Sequence, residues 1–205
     1  MAQITHGLRA ILSHPLVYST LQNLMGGKHG RKLFVRDFIK PLPTMNVLDI
    51  GCGPADILEY LPAVNYWGFD ISVAYIQHAT SRFGAKGKFS CKMLTEEDLK
   101  ELPAFDLVLA LGLLHHLDDD AALALLNIAH NALKPGGRLV TIDPCLEAGQ
   151  NPIARYLILK DRGQNVRTRE GYAALVSTVF PEYRLEVRHS AWIPYTHCIM
   201  ECTRK

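Results

Sequence analysis

Two adjacent histidines, His115 and His116, follow the apolar run FDLVLA at 105–110 and could take part in catalysis. Histidine exchanges a proton near neutral pH, so either side chain could serve as a general base. The alternative to a catalytic role is that both are loop residues that only form local hydrogen bonds. Asp143 follows a second apolar run, at 139–142, which is predicted to be a buried strand. Ligands of open parallel sheets bind at the carboxyl ends of the strands, so these three side chains are expected near one reacting centre.

A glycine turn provides a candidate ligand site in the stretch VLDIGCGPADIL at 47–58. Strand-forming residues run into Gly51, Cys52 and Gly53, and a helix is predicted to begin at Pro54. Such a turn lets the backbone approach a nucleotide-like ligand closely. Asp56 stands where a dinucleotide-binding turn would have its third glycine, and together with Asp49 it would repel a pyrophosphate. The two acids suit a ligand that carries a cation, although an ordinary strand, turn and helix would also explain the pattern.

Asp70 ends a second short strand in YWGFDIS at 66–72. It lies about one βαβ step after the glycine turn, where an acid can hold both hydroxyls of a ribose. Taken by itself, Asp70 is equally well explained as a residue at the start of a helix.

Strands and helices alternate along the chain, which indicates a parallel sheet with helices on both faces. Strands are predicted at 45–50, 65–70, 87–91, 105–111, 138–143, 183–189 and 195–203. Helices are predicted in the first forty residues and near 54–61, 72–82, 118–133, 151–161 and 169–179.

Several motifs in this order resemble the class I S-adenosylmethionine-dependent methyltransferases. They are LDIGCGPA at 48–55, Asp70, FDLVLALGLLHHL at 105–117 and LKPGG at 133–137, and the resemblance covers roughly 47–143. It implies an α/β fold: a doubly wound, mostly parallel seven-stranded sheet with helices on both faces and an antiparallel last strand. Ala55 stands where the family usually has glycine.

The resemblance also implies S-adenosylmethionine as the cofactor and a set of residues around it. The family often has an aspartate for the adenine amino group near Met93 and Leu94, where this chain has none. Adenine would then be held by backbone and apolar packing, or by Glu96, Glu97 or Asp98. The expected cofactor-binding residues are Asp49, Gly51, Cys52, Gly53, Asp70, Ile71, Met93, Leu94, Leu111 and Gly112.

A basic stretch, KDRGQNVRTR at 160–169, is the part of the sequence that indicates what kind of molecule accepts the methyl group. Arginine can bind a carboxylate or phosphate with two parallel hydrogen bonds, which would favour an anionic acceptor. The alternative is an ordinary solvated face. The expected substrate-binding residues are Arg162, Gln164, Arg167, Tyr195 and His197.

Length and composition fit a single cytoplasmic domain. The chain has 205 residues, 48% of them hydrophobic, and a net charge of +2, too small to indicate a nucleic-acid or membrane partner. No apolar run reaches the length of a membrane span. The expected division is an N-terminal helical cap at 1–43, a cofactor-binding core at 44–143 and substrate-side helices with the final strand pair at 144–205.

Neither a disulfide framework nor a metal site is expected. The five cysteines are scattered and form no C-x-x-C pair. His115, His116 and the acids at 118–120 resemble metal ligands, but adjacent side chains diverge and acids before a helix usually cap it.

The sequence therefore favours methyl transfer to a small molecule. Nucleic-acid amino methylation is disfavoured, because LGLLHH replaces the Asn/Asp-Pro-Pro-aromatic run expected after the fourth strand. Two alternatives remain: a nicotinamide-dependent oxidoreductase, and a cofactor-binding regulatory module without catalysis.

Overall fold

The computed structural model describes residues 27–161, 163–190 and 194–205. Its strands are β1 (Asn46–Ile50), β2 (Asn65–Asp70), β3 (Gly87–Cys91), β4 (Phe105–Leu111), β5 (Leu133–Pro144), β6 (Glu182–Ser190) and β7 (Tyr195–Thr203). They form one seven-stranded sheet in the order β3-β2-β1-β4-β5-β7-β6. The first five strands pair in parallel, and β7 runs antiparallel between β5 and β6. The predicted mixed sheet with an antiparallel last strand is confirmed.

The helices lie close to their predicted positions. They are α1 (Gly27–Phe34), α2 (Val73–Phe83), α3 (Asp119–Ala132), α4 (Pro152–Leu159) and α5 (Arg169–Ser177). Ser72, Asp118 and Thr168 each accept a hydrogen bond from the backbone N–H three residues further on. These caps satisfy N–H groups that the first helical turn leaves open, which is why α2, α3 and α5 begin there.

The described N-terminal part is a helix that ends before Pro41, as predicted. One π-helical turn, Val35–Ile39, continues α1 and stops at Lys40, whose φ of 46° is left-handed. Arg138 of β5 donates to the carbonyls of Phe38 and Ile39, at 3.2 and 2.8 Å, and so ties this end to the sheet. The helix expected nearer the start of the chain falls outside the described residues.

The core lies on both faces of the sheet because successive residues of β1 and β4 point to opposite sides. Leu48 and Val108 pack on one face with Leu126 of α3. Val47 and Leu107 pack on the other with Phe38 and other apolar residues. Full burial of such a side chain contributes about 1.5–3 kcal/mol, so the apolar runs that predicted these strands also stabilise the sheet.

The helix predicted from Pro54 is wrong. The chain turns at 51–54, and Ala55 then takes a left-handed conformation with φ 56°. A left-handed residue cannot continue a right-handed helix, so only a short 3₁₀ turn, Asp56–Tyr60, follows. Any ligand at this turn would therefore meet the glycine backbone and not the start of a long helix.

The strand β5 is longer than predicted because Leu133 already pairs with Phe105 of β4. Within the LKPGG segment at 133–137, the backbone N–H of Gly136 donates to the carbonyl of Arg204 at 2.7 Å, and the N–H of Arg204 donates to the carbonyl of Gly137 at 3.0 Å. Within the three described ranges, no helix combines the length and the apolar character that crossing a bilayer requires.

Candidate active site

The four central strands bring the predicted residues to one edge of the sheet. In the order β2-β1-β4-β5, these strands are neighbours and run in the same direction. Their carboxyl ends carry Asp70, the glycine turn, Gly112 and Asp143. This edge is where open α/β sheets bind ligands, so the candidate site is built mainly from strand ends.

Asp70 is fastened to the glycine turn and keeps acceptor capacity. The backbone N–H of Gly53 donates to its Oδ2 at 2.9 Å, and that of Ser72 donates to Oδ1 at 2.8 Å. The residue that caps the N-terminus of α2 is Ser72, so Asp70 is not its cap. An ionised carboxylate has about four lone-pair positions, and two remain for the hydroxyls of a diol. Burial raises the pKa of Asp70, opposed by these hydrogen bonds.

Glycine is required at the turn because Gly51 and Gly53 have φ of 71° and 54°. Apart from the chain neighbours of Gly53, no described residue has a heavy atom within 4 Å of the position that a Cβ there would occupy, so the described part of the chain leaves that side of the turn open. Leu113 lies against Gly51. Cys52 is buried, and burial raises the pKa of its thiol, so it contributes to this turn through its backbone.

Asp49 is buried with one oxygen unused. Its exposed fraction is 2%, and the hydroxyl of Tyr66 donates to Oδ2 at 2.6 Å. Its Oδ1 has no hydrogen-bond partner among the residues that the structure describes. Burial raises the pKa of Asp49 to about 7, because few groups compensate its charge. A cationic group of a ligand would supply that compensation.

Asp56 has a structural role that differs from its expected one. Arg82 donates to its Oδ1 at 2.6 Å, and Arg31 approaches Oδ2 at 3.4 Å. Both arginines neutralise the carboxylate within the protein, so it does not act as a second free acid at the turn. The argument against a pyrophosphate therefore rests on Asp49.

The expected adenine side is apolar and partly open. Ile71 and Met93, just beyond the paired ends of β2 and β3, expose 54% and 58% of their surface. Leu94 is 4% exposed and belongs to the core, so it offers a planar ring little surface. Asp98, one of the alternative acids, already accepts from Lys92 and Thr95. Where β4 ends, Leu111 is partly buried, and Gly112 turns the chain with φ 68°.

His115 is held by Asp143. The distance from Nδ1 to Asp143 Oδ1 is 2.8 Å, and the backbone N–H of His115 donates to the same oxygen at 3.2 Å. Both residues are buried, with exposed fractions of 5% and 0%. This double contact fixes the imidazole ring and leaves Nε2 directed away from Asp143.

Asp161 contacts the other side of His115 and was missed by sequence reasoning. Its Oδ1 lies 3.3 Å from His115 Nε2, and Tyr195 donates to its Oδ2 at 2.9 Å. The backbone N–H of Gly163 also donates to Oδ1, at 2.9 Å. The acid stood in the sequence within the stretch considered for its basic residues, and nothing there linked it to residue 115.

The two carboxylates change the protonation of His115. Burial acts to lower its pKa, but the hydrogen bonds and charges of Asp143 and Asp161 outweigh this and raise the pKa to about 9. The pKa of Asp161 is lowered despite burial, because it accepts from His115 and Gly163. His115 can serve as a base towards a ligand only if Asp161 first leaves Nε2.

Three aromatic side chains, His116, Tyr195 and His197, lie near this group. The ring of His116 lies 4.0 Å from that of His115, measured between centroids, at 38°. Tyr195 and His197 lie together with their ring centroids 4.9 Å apart. Burial, helped by the charge of His115, lowers the pKa of His197 to about 4, so it is a neutral neighbour.

Arg167 is not available to an anionic acceptor in this structure. Its guanidinium donates to Asp119 Oδ1 at 2.7 Å and to the carbonyls of Leu114 and Leu117 at 3.0 and 2.9 Å. Its charge is paired within the protein, and the substrate-binding role expected from the basic stretch stays a prediction. Gln164 is exposed. Arg162 lies outside the described residues.

Comparison with known proteins agrees with this architecture. A family profile described as a methyltransferase domain matches residues 48–139. Phosphoethanolamine N-methyltransferase 1 of Zea mays is 26% identical over 161 residues, covering 74% of this chain and 30% of that protein. O-methyltransferase resE of Aspergillus sclerotiorum is 34% identical over 110 residues, covering 50% of this chain and 41% of that protein. The chain thus matches less than half the length of either relative.

Solved structures show the same fold. Human N-acetylserotonin methyltransferase in complex with S-adenosylmethionine superposes with a TM-score of 0.66 at 19% identity, covering 98% of this chain and 60% of that one. A TehB-like methyltransferase from Corynebacterium glutamicum superposes with a TM-score of 0.64 at 20% identity, covering 94% and 99%. Residues 48–139 thus match a methyltransferase-domain profile, and the sheet has the fold of these solved methyltransferases.

Proposed function

We propose that the chain uses S-adenosylmethionine to methylate a small molecule that binds beside His115. The observation that carries this is the convergence, at one sheet edge, of Asp49 with its unused oxygen, Asp70 with its spare acceptor capacity, and the His115–Asp143 pair. The cofactor would supply a methyl group already activated on a sulfonium. Aligning an acceptor with such a group can itself contribute about 7–11 kcal/mol, so few catalytic side chains are needed.

Each residue at the edge has a binding role that its surroundings support. Asp70 accepts from the ribose hydroxyls with the lone pairs that Gly53 and Ser72 leave free. Asp49 faces the ammonium of the methionine part, which compensates its buried charge. Ile71 and Met93 provide apolar surface for adenine. We assign cofactor binding to residues 44–143 and the acceptor side to 144–205.

The acceptor's reacting group is proposed to be a hydroxyl or an amine. The described polar groups around His115 include two carboxylates, a tyrosine hydroxyl, the imidazole of His116 and the neutral His197. Carboxylates accept hydrogen bonds, so they suit a group that donates one. The paired charge of Arg167 removes the main support for an anionic acceptor.

Replacement of Asp70 by alanine tests the cofactor site. We expect Asp70→Ala to weaken binding of S-adenosylhomocysteine by about 1–3 kcal/mol, because a charged acceptor to two hydroxyls is lost. That is roughly a 5- to 150-fold rise in Kd, measured by titration calorimetry. Glu101→Ala, which removes an exposed acid elsewhere, should leave Kd unchanged.

The same titration includes NAD as the rival ligand. Tight NAD binding without a response to S-adenosylhomocysteine would refute the assignment. Transfer of a labelled methyl group from S-adenosylmethionine into a pool of small hydroxyl- and amine-bearing metabolites then measures turnover, which a module without catalysis would lack.

A further inference from the structure

Three potential metal ligands meet beside the proposed acceptor position. His115, His116 and Asp161 each offer one ligand atom, and these atoms lie within 4.8 Å of one another. We propose that these three residues bind a divalent transition metal of the zinc type. Two histidines and one carboxylate form a donor set of nitrogen and oxygen, which suits Zn²⁺ and related first-row metals better than Mg²⁺ or Ca²⁺.

The separation of two of the ligand atoms already matches such a site. His115 Nε2 and Asp161 Oδ1 are 3.3 Å apart. Two ligands with bonds of about 2.0–2.1 Å to a tetrahedral zinc stand roughly 3.3 Å from each other. An ion can therefore enter between these two atoms with little movement of either side chain.

Adjacent histidines were expected to diverge, and here they do not. A short 3₁₀ turn, Leu114–His116, places the two rings 4.0 Å apart between centroids. Both rings therefore lie on the same side of the turn as Asp161. The ligand nitrogen of His116 lies within 4.8 Å of the other two ligand atoms, and it would have to move from there to the 3.3 Å that already separates the other pair.

Further side chains orient the ligands, as in established metal sites. Asp143 holds Nδ1 of His115 at 2.8 Å, which directs the free electron pair of Nε2 towards the ion. Tyr195 holds the second oxygen of Asp161 at 2.9 Å. A carboxylate behind a histidine ligand is a common arrangement that fixes the ring and raises its basicity.

The loop that carries Asp161 is fastened to the histidine turn. The backbone N–H of Asn165 donates to the carbonyl of His115 at 3.0 Å. Gly163 packs so closely on His115 that a Cβ there would lie 2.0 Å from the ring. The two segments that supply the ligands are thus held together before any ion arrives.

Three protein ligands leave at least one coordination position open. Zinc with three protein ligands characteristically keeps that position for water or substrate, and it lowers the pKa of a bound water to about 7. This use of the open position rests on the proposed methyl transfer, whereas the metal site itself rests on the three side chains. A hydroxyl acceptor would lose its proton more readily in that position.

The test measures metal binding directly. Metal-free protein is titrated with Zn²⁺ by calorimetry and with Co²⁺ by visible absorption, which is strong when cobalt is tetrahedral. We expect one ion per chain. Asp161→Asn and His116→Ala should each weaken Zn²⁺ binding by more than about 100-fold. His29→Ala, which removes an exposed histidine on α1, should change it less than twofold.

The thermal transition of each metal-free variant and its affinity for S-adenosylhomocysteine complete the test. Folded variants that bind Zn²⁺ as tightly as the native chain, or a native chain that binds no ion, would overturn the metal site. Cofactor binding that survives such a result leaves the proposed methyl transfer standing. If the native chain binds Zn²⁺ but not S-adenosylhomocysteine, the proposed methyl transfer is refuted and the metal site is not.

Discussion

Asp49 is a buried acid whose charge is only partly compensated by the described residues around it. The carboxyl group is buried, accepts one hydrogen bond from Tyr66 and has a second oxygen that forms no hydrogen bond with a described residue. Burial raises its pKa to about 7, from an ordinary value of 3.8. Such an acid suits a site whose cationic ligand arrives only on binding, because the ligand then supplies the missing partner.

The raised pKa predicts a pH-dependent stability. The folded state keeps the proton of Asp49 up to about pH 7, whereas the unfolded chain releases it near pH 4. The unfolded state therefore binds fewer protons in this window, and the contribution of Asp49 to stability falls as pH rises through it. We expect Asp49→Asn to gain about 1–3 kcal/mol relative to the native chain between pH 5 and pH 8.

Urea unfolding of both proteins at the two pH values measures this difference. Asp98→Asn is the matched control, because Lys92 and Thr95 lower the pKa of Asp98 to about 2. That carboxyl is ionised in both states between pH 5 and pH 8, so its replacement should have the same effect at either pH. A constant difference for Asp49→Asn would show that its carboxyl is ionised in the folded protein at both values.

Arg167 joins two connecting segments that the sheet alone does not hold. It lies just before α5, and its guanidinium reaches the carbonyls of Leu114 and Leu117 and the carboxylate of Asp119. Only 11% of the side chain is exposed. Arg167, from a later part of the chain, therefore helps to hold in place the segment between β4 and α3 that carries both histidines.

Loss of these contacts should lower stability and not only substrate binding. We expect Arg167→Ala to reduce the free energy of unfolding by about 1.5–3 kcal/mol, because hydrogen bonds from a charged donor are lost and two partly enclosed carbonyls lose that donor. Arg167→Lys should recover only part of it, since lysine lacks the planar fork. Urea unfolding measures both.

Arg169→Ala is the control, because Arg169 is exposed at the start of α5. The contrary outcome is that Arg167→Ala leaves the urea midpoint unchanged and raises only the KM of the methyl acceptor. That result would show that Arg167 does not stabilise the fold, and it would support the substrate role predicted from the basic stretch.

Packing on both faces of the sheet leaves the chain with one accessible thiol. Cys52, Cys145, Cys198 and Cys202 are buried, and only Cys91, at the end of the edge strand β3, is exposed. Burial raises the pKa of Cys52 and Cys202, which makes these thiols still less reactive. Reactivity towards a reagent therefore reports on the integrity of the whole core.

We expect the native protein to react rapidly with one equivalent of a thiol reagent such as dithionitrobenzoate. The other four thiols should react only at the rate of unfolding or after denaturant is added. Cys91→Ser should abolish the rapid phase, and its thermal transition should stay unchanged. Two or more rapid equivalents in the native chain would contradict the packing described for the core.

The order of the strands and of most of the helices could be predicted from local sequence patterns. The apolar run at 105–110 predicted a strand buried on both faces, and the structure has β4 there. The structure adds that Ser72, Asp118 and Thr168 cap the helices that follow them. Five strands of a parallel sheet must present their carboxyl ends at one edge. The proximity of Asp49, Asp70 and Asp143 could be predicted for that reason, although the binding roles assigned to them stay predictions.

Contacts between distant segments were decided by tertiary structure alone. Asp161 reaches His115 across 46 positions because α4 and the loop after it fold back over the strand ends. Likewise, Asp56 is neutralised by Arg82, and Arg167 by Asp119. A charged side chain takes whichever partner folding brings within about 3 Å, and sequence spacing carries no information about that partner. The sequence therefore determined the sheet and the edge at which the candidate site lies, while the packing of the later segments determined which acids and bases meet there.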